Sequence, residues 1–102
     1  MDYVFIYSTA GTKSEAEKIS KSLLRQKLIG CANLFPLTSM YHRKGKVVRG
    51  KEYALILKTI KTKVPVVKRE IEKIHSYSIP GITEIAVKPN QKYASWLLKQ
   101  CS

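Results

Sequence analysis

The sequence predicts an α+β protein: a ferredoxin-like βαββαβ sandwich with a long hairpin between its second and third strands and a short C-terminal helix. Three observations predict this fold. Apolar residues alternate in several stretches, as in half-buried strands, and two intervening stretches repeat them every three or four positions, as in helices. The run from Cys31 to Thr59 is long enough for a hairpin that outgrows one small core. Residues 1–102 suffice for a single domain.

The first strand and helix are predicted from Asp2 to about Lys27. Alternating β-formers run from Asp2 to Ala10, and a glycine then breaks the strand. A helix is expected to follow because two capping boxes fit the sequence, Thr12 with Glu15 and Ser14 with Glu17. Its apolar stripe is formed by Ala16, Ile19, Leu23 and Leu24.

The long hairpin begins with a second strand from Cys31 to about Phe35. Pro36 is expected to end regular pairing there or to mark a bulge, and pairing is expected to resume near Ser39. The turn is placed at Lys44-Gly45-Lys46, because glycine provides the backbone freedom that a tight reversal needs. Strand three ends near Thr59. Arms this long leave an open edge, and open edges pair with other chains, so we expect an oligomer held together by the hairpin.

The last third of the chain is predicted to form a helix, a strand and a final helix. The second helix starts after Thr62 or Lys63, with Pro65 in its first turn, and ends near His75-Ser76. Strand four is predicted from Ile82 to Val87. Asn90 is expected to cap a short helix that carries Tyr93, Trp96 and Leu97.

The charge balance is strongly basic, with 19 Lys and Arg against seven Asp and Glu and a net charge of +12. Such a field attracts nucleic acid, anionic membranes or small anions. The basic residues are spread along the whole chain, which favours a solvated surface, and nucleic acid is therefore not the expected partner. Nucleic-acid binding remains a third hypothesis because one cluster occupies the hairpin tip: Arg43, Lys44, Lys46, Arg49 and Lys51.

Several functional classes lack their sequence signatures. No apolar run approaches the roughly 20 residues that span a bilayer, so no membrane partner is expected. The opening residues do not resemble a signal peptide, and the two cysteines are too few for a disulfide framework, which together predict a cytoplasmic protein. No phosphate-binding loop, GxSxG, HExxH or CxxC motif is present, and no nucleophile–base pair is visible, so we expect no enzyme activity.

Five segments resemble the CutA divalent-cation tolerance family in the right order: YVFIYSTAGTKSEAEKISKSLL, LIGCANLFP, SMYHRKGKVVRGKEYALILKT, HSYSIPGI and YASWL. The hairpin segment keeps Tyr41, Gly45-Lys46, Glu52 and Lys58-Thr59 in place. The resemblance implies a cytoplasmic homotrimer whose long hairpins pair between subunits, which agrees with the open-edge argument. It also implies a link to copper and other divalent cations, with no cofactor required.

One histidine is the candidate metal ligand. A metal site proposed for one branch of the family uses a cysteine on strand one and a His-His pair at the end of helix two. The matching positions here are Ser8, Ile74 and His75, so the resemblance leaves His75 as the metal ligand. Symmetry or Cys31 would have to supply further donors. The alternative for His75 is a helix-end residue whose charged form the helix dipole favours.

A second candidate site is a cleft between subunits. Glu52 and Lys58 share a face of strand three but lie about 20 Å apart, so each needs another partner. With Tyr41, Tyr77 and Trp96 they would form a pocket with aromatic walls for a small anion or nucleotide. A structural ion pair between subunits is the alternative. The functional prediction is thus a non-catalytic divalent-cation tolerance protein, and the alternative is a PII-like signalling trimer that binds a small anionic ligand in the cleft.

Overall fold

A computed structural model describes residues 1–102 and contains one four-stranded antiparallel sheet and three α-helices. The strands follow each other across the sheet in the order β2-β3-β1-β4. This order confirms the ferredoxin-like prediction. No helix has the length and apolar content needed to cross a membrane. The elements are β1 (Tyr3–Ala10), α1 (Lys13–Arg25), β2 (Cys31–Arg43), β3 (Lys46–Ile60), a 3-10 turn (Lys61–Lys63), α2 (Val64–Ile74), β4 (Ile82–Val87) and α3 (Gln91–Gln100).

The main core lies between the sheet and the pair α1 and α2. Strand β1 alternates strictly, with every second side chain buried, as the period of an extended strand requires. Leu55 and Leu57 of β3 face the same way. Each large side chain of this kind contributes roughly 1.5–3 kcal/mol when it is fully buried. The helices contribute Ala16, Ile19, Leu23, Val64, Val67 and Ile71 to the same cluster.

Helix α1 begins with the first of the two predicted capping boxes. Thr12 is the N-cap, and its hydroxyl accepts a hydrogen bond from the Glu15 amide at 3.1 Å. The Glu15 carboxylate reaches back to the amide of Gly11, one residue before the cap, at 3.3 Å. The helix ends at Arg25, two residues before the predicted end, and Lys27 then adopts a left-handed conformation with φ of 57°.

Strand β2 corrects the prediction that Pro36 interrupts pairing. Every residue from Cys31 to Arg43 has a partner on β3, and Pro36 pairs with Tyr53 without a bulge. Because β2 is an edge strand, one side of it makes no ladder, and a residue without an N–H can be accommodated. The turn is the predicted one. Lys44 and Gly45, with φ of 50° and 78°, form a two-residue connection of type I′.

The outer part of the hairpin stands away from the body. Strand β1 pairs with β3 only between Tyr53 and Ile60, so residues 37–43 and 46–52 pair only with each other. We call residues 37–52 the arm. It makes the molecule 46 Å long against 24 and 21 Å in the other directions. An isolated two-stranded ribbon is at best marginally stable in water, so the arm is a candidate for contact with another molecule.

The sheet face opposite α1 and α2 is only partly covered. Helix α3 packs over one end of it, where Leu97 and Cys101 contact Ile60. Farther along this face, Phe35 and Ile85 are 44% and 46% exposed. The start of α3 corrects one detail: Asn90 occupies the N-cap position, but its side chain makes no capping hydrogen bond.

Candidate functional site

The base of the arm is fixed by Glu52, which accepts hydrogen bonds from three hydroxyl groups. The Ser39 hydroxyl on β2 donates to Oε1 at 2.5 Å. Thr9 on β1 and Tyr77 in the loop between α2 and β4 donate to Oε2 at 3.1 and 2.7 Å. One carboxylate therefore ties the arm to β1 and to this loop. We call these four residues the Glu52 network.

The hydrogen bonds of the network shift two pKa values in opposite directions. Burial by itself would raise the pKa of Glu52, but the bonds from Ser39, Tyr77 and Thr9 outweigh it and leave the pKa below its ordinary value. Burial and, after it, the bond to the negative Glu52 raise the pKa of Tyr77 to about 12. Glu52 is thus held as an anion, and Tyr77 is held as a neutral donor.

His75 lies next to this network, at the C-cap of α2. Its side chain is fully buried, and its Nε2 atom is 2.7 Å from the backbone oxygen of Thr9. The amide of Tyr77 donates to Nδ1 at 3.0 Å. Because Nδ1 accepts this bond, the hydrogen of a neutral ring is placed on Nε2, where Thr9 accepts it. Both ring nitrogens are therefore occupied within the chain.

Glu15 anchors the other side of the same loop. Its carboxylate accepts bonds from the amide and hydroxyl of Ser76 at 2.7 and 3.0 Å, besides the bond from Gly11. Burial by itself would raise the pKa of Glu15. The hydrogen bonds, together with the nearby His75, outweigh it, so the pKa is below its ordinary value. The loop after α2 is therefore held from two sides, by Glu15 and by Glu52.

The positions that match the family's metal ligands do not form a complete site in one chain. Ser8 is buried and donates its hydroxyl hydrogen to the backbone oxygen of Gly81 at 2.6 Å. Ile74 offers no donor atom, and both nitrogens of His75 are already bonded. No group of three or more His, Cys, Asp or Glu side chains is close enough to hold a metal ion. Within a single chain, the residues present do not fit a bound copper ion.

The five residues predicted to share a cleft fall into separate groups within one chain. Glu52 and Tyr77 are bonded to each other, and Tyr41 lies farther out on the arm, with its ring beside Gly50. Lys58 lies at the α3 end of the sheet, 5.3 Å from the ring centroids of both Phe5 and Tyr93. Trp96 belongs to this second group because its ring stacks on Tyr93 at 5.5 Å.

Sequence reasoning missed several residues that complete these groups. Thr9, Ser39 and Glu15 were not predicted as site residues, although each makes a hydrogen bond within or beside the Glu52 network. Capping was the only signal that pointed to Glu15. The partners of Glu52 are recognisable only when the strand register is known, because they come from three segments far apart in sequence.

Comparison with known proteins gives a consistent result over nearly the whole chain. A family model described as CutA1 divalent ion tolerance protein matches residues 4–100. The divalent-cation tolerance protein CutA of Archaeoglobus fulgidus is 39% identical over 94 residues, which cover 91% of this chain and 92% of that protein. The protein of the same name from Pyrococcus horikoshii is 36% identical, and the match covers 95% of this chain and 96% of that one.

Solved structures agree with the sequence comparison. The structure of CutA from Archaeoglobus fulgidus, described as a periplasmic divalent cation tolerance protein, superposes with a TM-score of 0.95 at 36% identity. It is matched over 98% of this chain and 99% of that one. The divalent ion tolerance protein CutA1 of Ehrlichia chaffeensis gives a TM-score of 0.96 at 34% identity, covering 99% of this chain and 96% of that one.

Proposed function

Because the chain belongs to the CutA1 divalent ion tolerance family, we propose that it serves divalent-cation tolerance as a non-catalytic cytoplasmic homotrimer that binds copper or another divalent cation. The observation that carries this proposal is the match of residues 4–100 to the family, together with relatives that bear the divalent-cation tolerance name. These relatives do not favour the alternative of a PII-like signalling protein with a small anionic ligand.

The arm and the open sheet face support assembly into a homotrimer. The arm exposes apolar side chains that no part of the same chain covers, such as Met40 and Val47 at 68% and 62% exposure. Phe35 and Ile85 add exposed apolar area on the uncovered face of the sheet, which is the opposite face from Met40 and Val47. A stable interface buries on the order of 800 Å² on each partner, and a projecting arm against a neighbouring sheet can provide such an area.

Metal binding in this proposal requires donors from more than one subunit. His75 is the candidate histidine ligand, and it can bind a metal through Nδ1 only when the amide of Tyr77 moves away. Cys31 is a free, half-buried thiol at the start of the edge strand β2, where a neighbouring subunit can reach it. A site shared between copies would bring together the soft donors that copper prefers.

The same assembly would bring the proposed cleft residues together. Within one chain Lys58 has no carboxylate within 4 Å, and Trp96 is 43% exposed. In a trimer, the arm of one subunit would lie over the sheet of the next and place Tyr41, Glu52 and Tyr77 near Lys58 and Trp96 of the neighbour. The cleft in this proposal is a structural seam of the trimer.

The test combines mass and metal titration. Sedimentation equilibrium should give three times the 11.6 kDa of the chain, and a lone 11.6 kDa particle would refute the trimer. Calorimetric titration of the trimer with Cu(II) and Zn(II) should show binding that His75→Gln abolishes. The matched control is His42→Gln, which changes the other histidine of the chain, on the exposed arm. Equal binding by both variants would remove His75 from the site, and no heat in the unaltered protein would refute metal binding.

A further inference from the structure

The outer side of helix α1 carries four cations and one carboxylate. The helix turns Ala16, Ile19 and Leu23 into the core, so the opposite side of the helix faces solvent. With 3.6 residues per turn, the residues of this opposite side follow one another along a single surface of the helix. We call it the α1 face: Lys13, Ser14, Glu17, Lys18, Lys21 and Arg25.

The cations of the α1 face have no ionic partner within the chain. The ion pairs of the chain are made by Glu15 and Glu84, and neither reaches a cation of this face. Glu17 is the only carboxylate on the face, and it has no cation within 4 Å. Four cations and one carboxylate leave a net charge of +3 on a surface that is roughly 18 Å long at 1.5 Å per residue.

The α1 face is open and wholly polar. A shallow depression of about 580 Å³ along it is lined by the six residues of the face and by no apolar side chain. The assembly proposed above uses the arm and the uncovered sheet face, and α1 packs on the other side of the sheet. The α1 face therefore stays exposed in the assembled protein.

We propose that the α1 face binds the phosphodiester backbone of a nucleic-acid duplex, with its four cations on phosphates. Lysine, arginine and serine side chains are the usual donors to phosphate oxygens, and Ser14 adds a hydroxyl to the cations. Phosphates of one B-DNA strand are about 3.4 Å apart along the duplex axis, so a stripe of this length reaches at least four of them. Phosphate contacts carry no sequence information, so the binding does not depend on base sequence. This activity goes beyond cation tolerance and needs no bound metal.

Other anionic partners fit the α1 face less well. Proteins that bind single strands add aromatic side chains on which the bases stack, and the face has none. Helices that bind membrane surfaces bury an apolar side in the lipid, whereas the apolar side of α1 is already buried in the core. Interfaces between proteins have an apolar centre, and no apolar side chain lines this face.

Binding through four phosphate contacts has a defined salt dependence. Each contact contributes about −0.9 to the slope of log K against log salt concentration, so four contacts give about −3.6. Affinity should therefore fall roughly 150-fold between 50 and 200 mM salt.

The experiment compares two variants of equal net charge in the assembled protein. Fluorescence anisotropy with a 20-base-pair DNA duplex is recorded over a range of salt concentrations for Lys18→Gln/Lys21→Gln and for Lys92→Gln/Lys99→Gln. The latter removes two exposed cations from α3, which packs on the other side of the sheet. The α1 variant should reduce the magnitude of the slope by about 1.8, and the α3 variant should leave it unchanged. Equal losses in both variants would overturn the proposal, because the binding would then reflect total charge.

Three further probes test the chemistry of the partner. The RNA duplex of the same sequence should bind with similar affinity, because both duplexes present phosphates. A preference of more than about tenfold for either duplex would overturn an assignment to the backbone alone. Single-stranded DNA and vesicles that contain phosphatidylserine should both bind more weakly than the duplexes at each salt concentration, and equal or tighter binding of either would overturn the proposal.

A binding control and a folding control complete the test. Absence of DNA binding by the unaltered protein at 50 mM salt would refute the proposal outright. Sedimentation must show that both variants keep the mass of the unaltered protein, and thermal unfolding must show that both are folded. If the α1 variant is unfolded, Lys21→Gln provides the same comparison against Lys99→Gln, with an expected slope change of about 0.9.

Discussion

At the scale of single residues, Glu52 connects three segments of the chain through one side chain. It lies where the arm leaves the body, and its three hydroxyl partners belong to three different segments. Hydrogen bonds to a charged group contribute about 1.5–3 kcal/mol each, although bonds that share one acceptor do not add. Glu52 therefore fixes the orientation of the arm and, together with Glu15, the position of the loop after α2.

Glu52→Gln should destabilise the protein at neutral pH by about 1–3 kcal/mol and reduce its sensitivity to acid. The pKa of Glu52 is lowered on folding from 4.5, so its contribution is complete above that value and is lost as the pH falls through the folded pKa. The unaltered protein should therefore lose stability below about pH 4.5, and the variant should lose less. Urea unfolding at pH 7 and pH 3.5, at one protein concentration, measures both effects.

The matched control is Glu72→Gln, which neutralises an exposed carboxylate on α2 that has no hydrogen bond or ion pair. It should leave the stability at pH 7 within about 0.5 kcal/mol of the unaltered protein. If Glu52→Gln behaves like this control, the Glu52 network does not stabilise the fold.

The sequence could predict some of these residue roles but not their combinations. Thr12 and Glu15 are only three residues apart, so the hydrogen bond by which Thr12 caps α1 could be predicted from the sequence. Glu52 was predicted to need a partner on another strand or another subunit, and the structure provides Ser39 and Thr9 on two other strands. Which partners it meets depends on long-range register, which no local pattern in a single sequence determines.

At the scale of elements, the packing of α3 depends on the absence of a side chain at Gly30, where the backbone lies close to this helix. A Cβ atom placed there would lie 2.5 Å from Leu97 Cδ1 and 3.0 Å from Gln100 Cβ, so a larger residue requires the buried Leu97 side chain or the helix itself to shift. Helix α3 also covers Ile60 through Leu97 and Cys101. A small shift of this helix therefore loosens the second cluster of buried residues.

Gly30→Ala should lower the free energy of unfolding by about 1–3 kcal/mol, because overpacking displaces well-packed side chains. Gly81→Ala is the matched control, since no atom lies within 4 Å of the corresponding Cβ position. It should leave stability unchanged or slightly raise it by restricting the unfolded chain. Urea unfolding followed by Trp96 fluorescence measures both, and equal stabilities of the two variants would contradict the packing argument.

Strands and turns were predicted correctly where residues close in sequence determine them. Strand β4 was predicted with its observed bounds, and the position of the hairpin turn was predicted from Gly45. The effect of Pro36 was predicted wrongly, because whether a strand accommodates a proline depends on the position of that strand in the sheet. Strand β2 is an edge strand. Asn90 occupies the predicted cap position, but its side chain does not make the expected hydrogen bond.

At the scale of the whole molecule, the charge is large and mostly unpaired. All but two of the 19 Lys and Arg residues lack a carboxylate within 4 Å, and the two exceptions share Glu84. Bonds within the fold use Glu15 and Glu52 as well, so few carboxylates remain to offset the cations. A protein of this kind repels itself in the compact state, and a partner of opposite charge or added salt should relieve the repulsion.

Added salt should therefore stabilise this protein, because it screens the repulsion between the cations. The same salt would destabilise a fold that is held by surface ion pairs, because it screens their attraction. Raising the ionic strength from 0.01 to 0.1 M shortens the screening length from about 30 to about 10 Å, which removes most of the repulsion between separate clusters. The midpoint of urea unfolding should rise over this range in sodium chloride.

Lys18→Gln/Lys21→Gln removes two unpaired cations and should be slightly more stable than the unaltered protein at 0.01 M, by about 0.5 kcal/mol or less for each charge. The advantage should vanish at high salt. Lys61→Gln/Lys68→Gln removes the same charge but breaks both pairs with Glu84, so it should gain less or lose stability. A midpoint that falls with added salt would show that attraction, not repulsion, dominates the charge distribution.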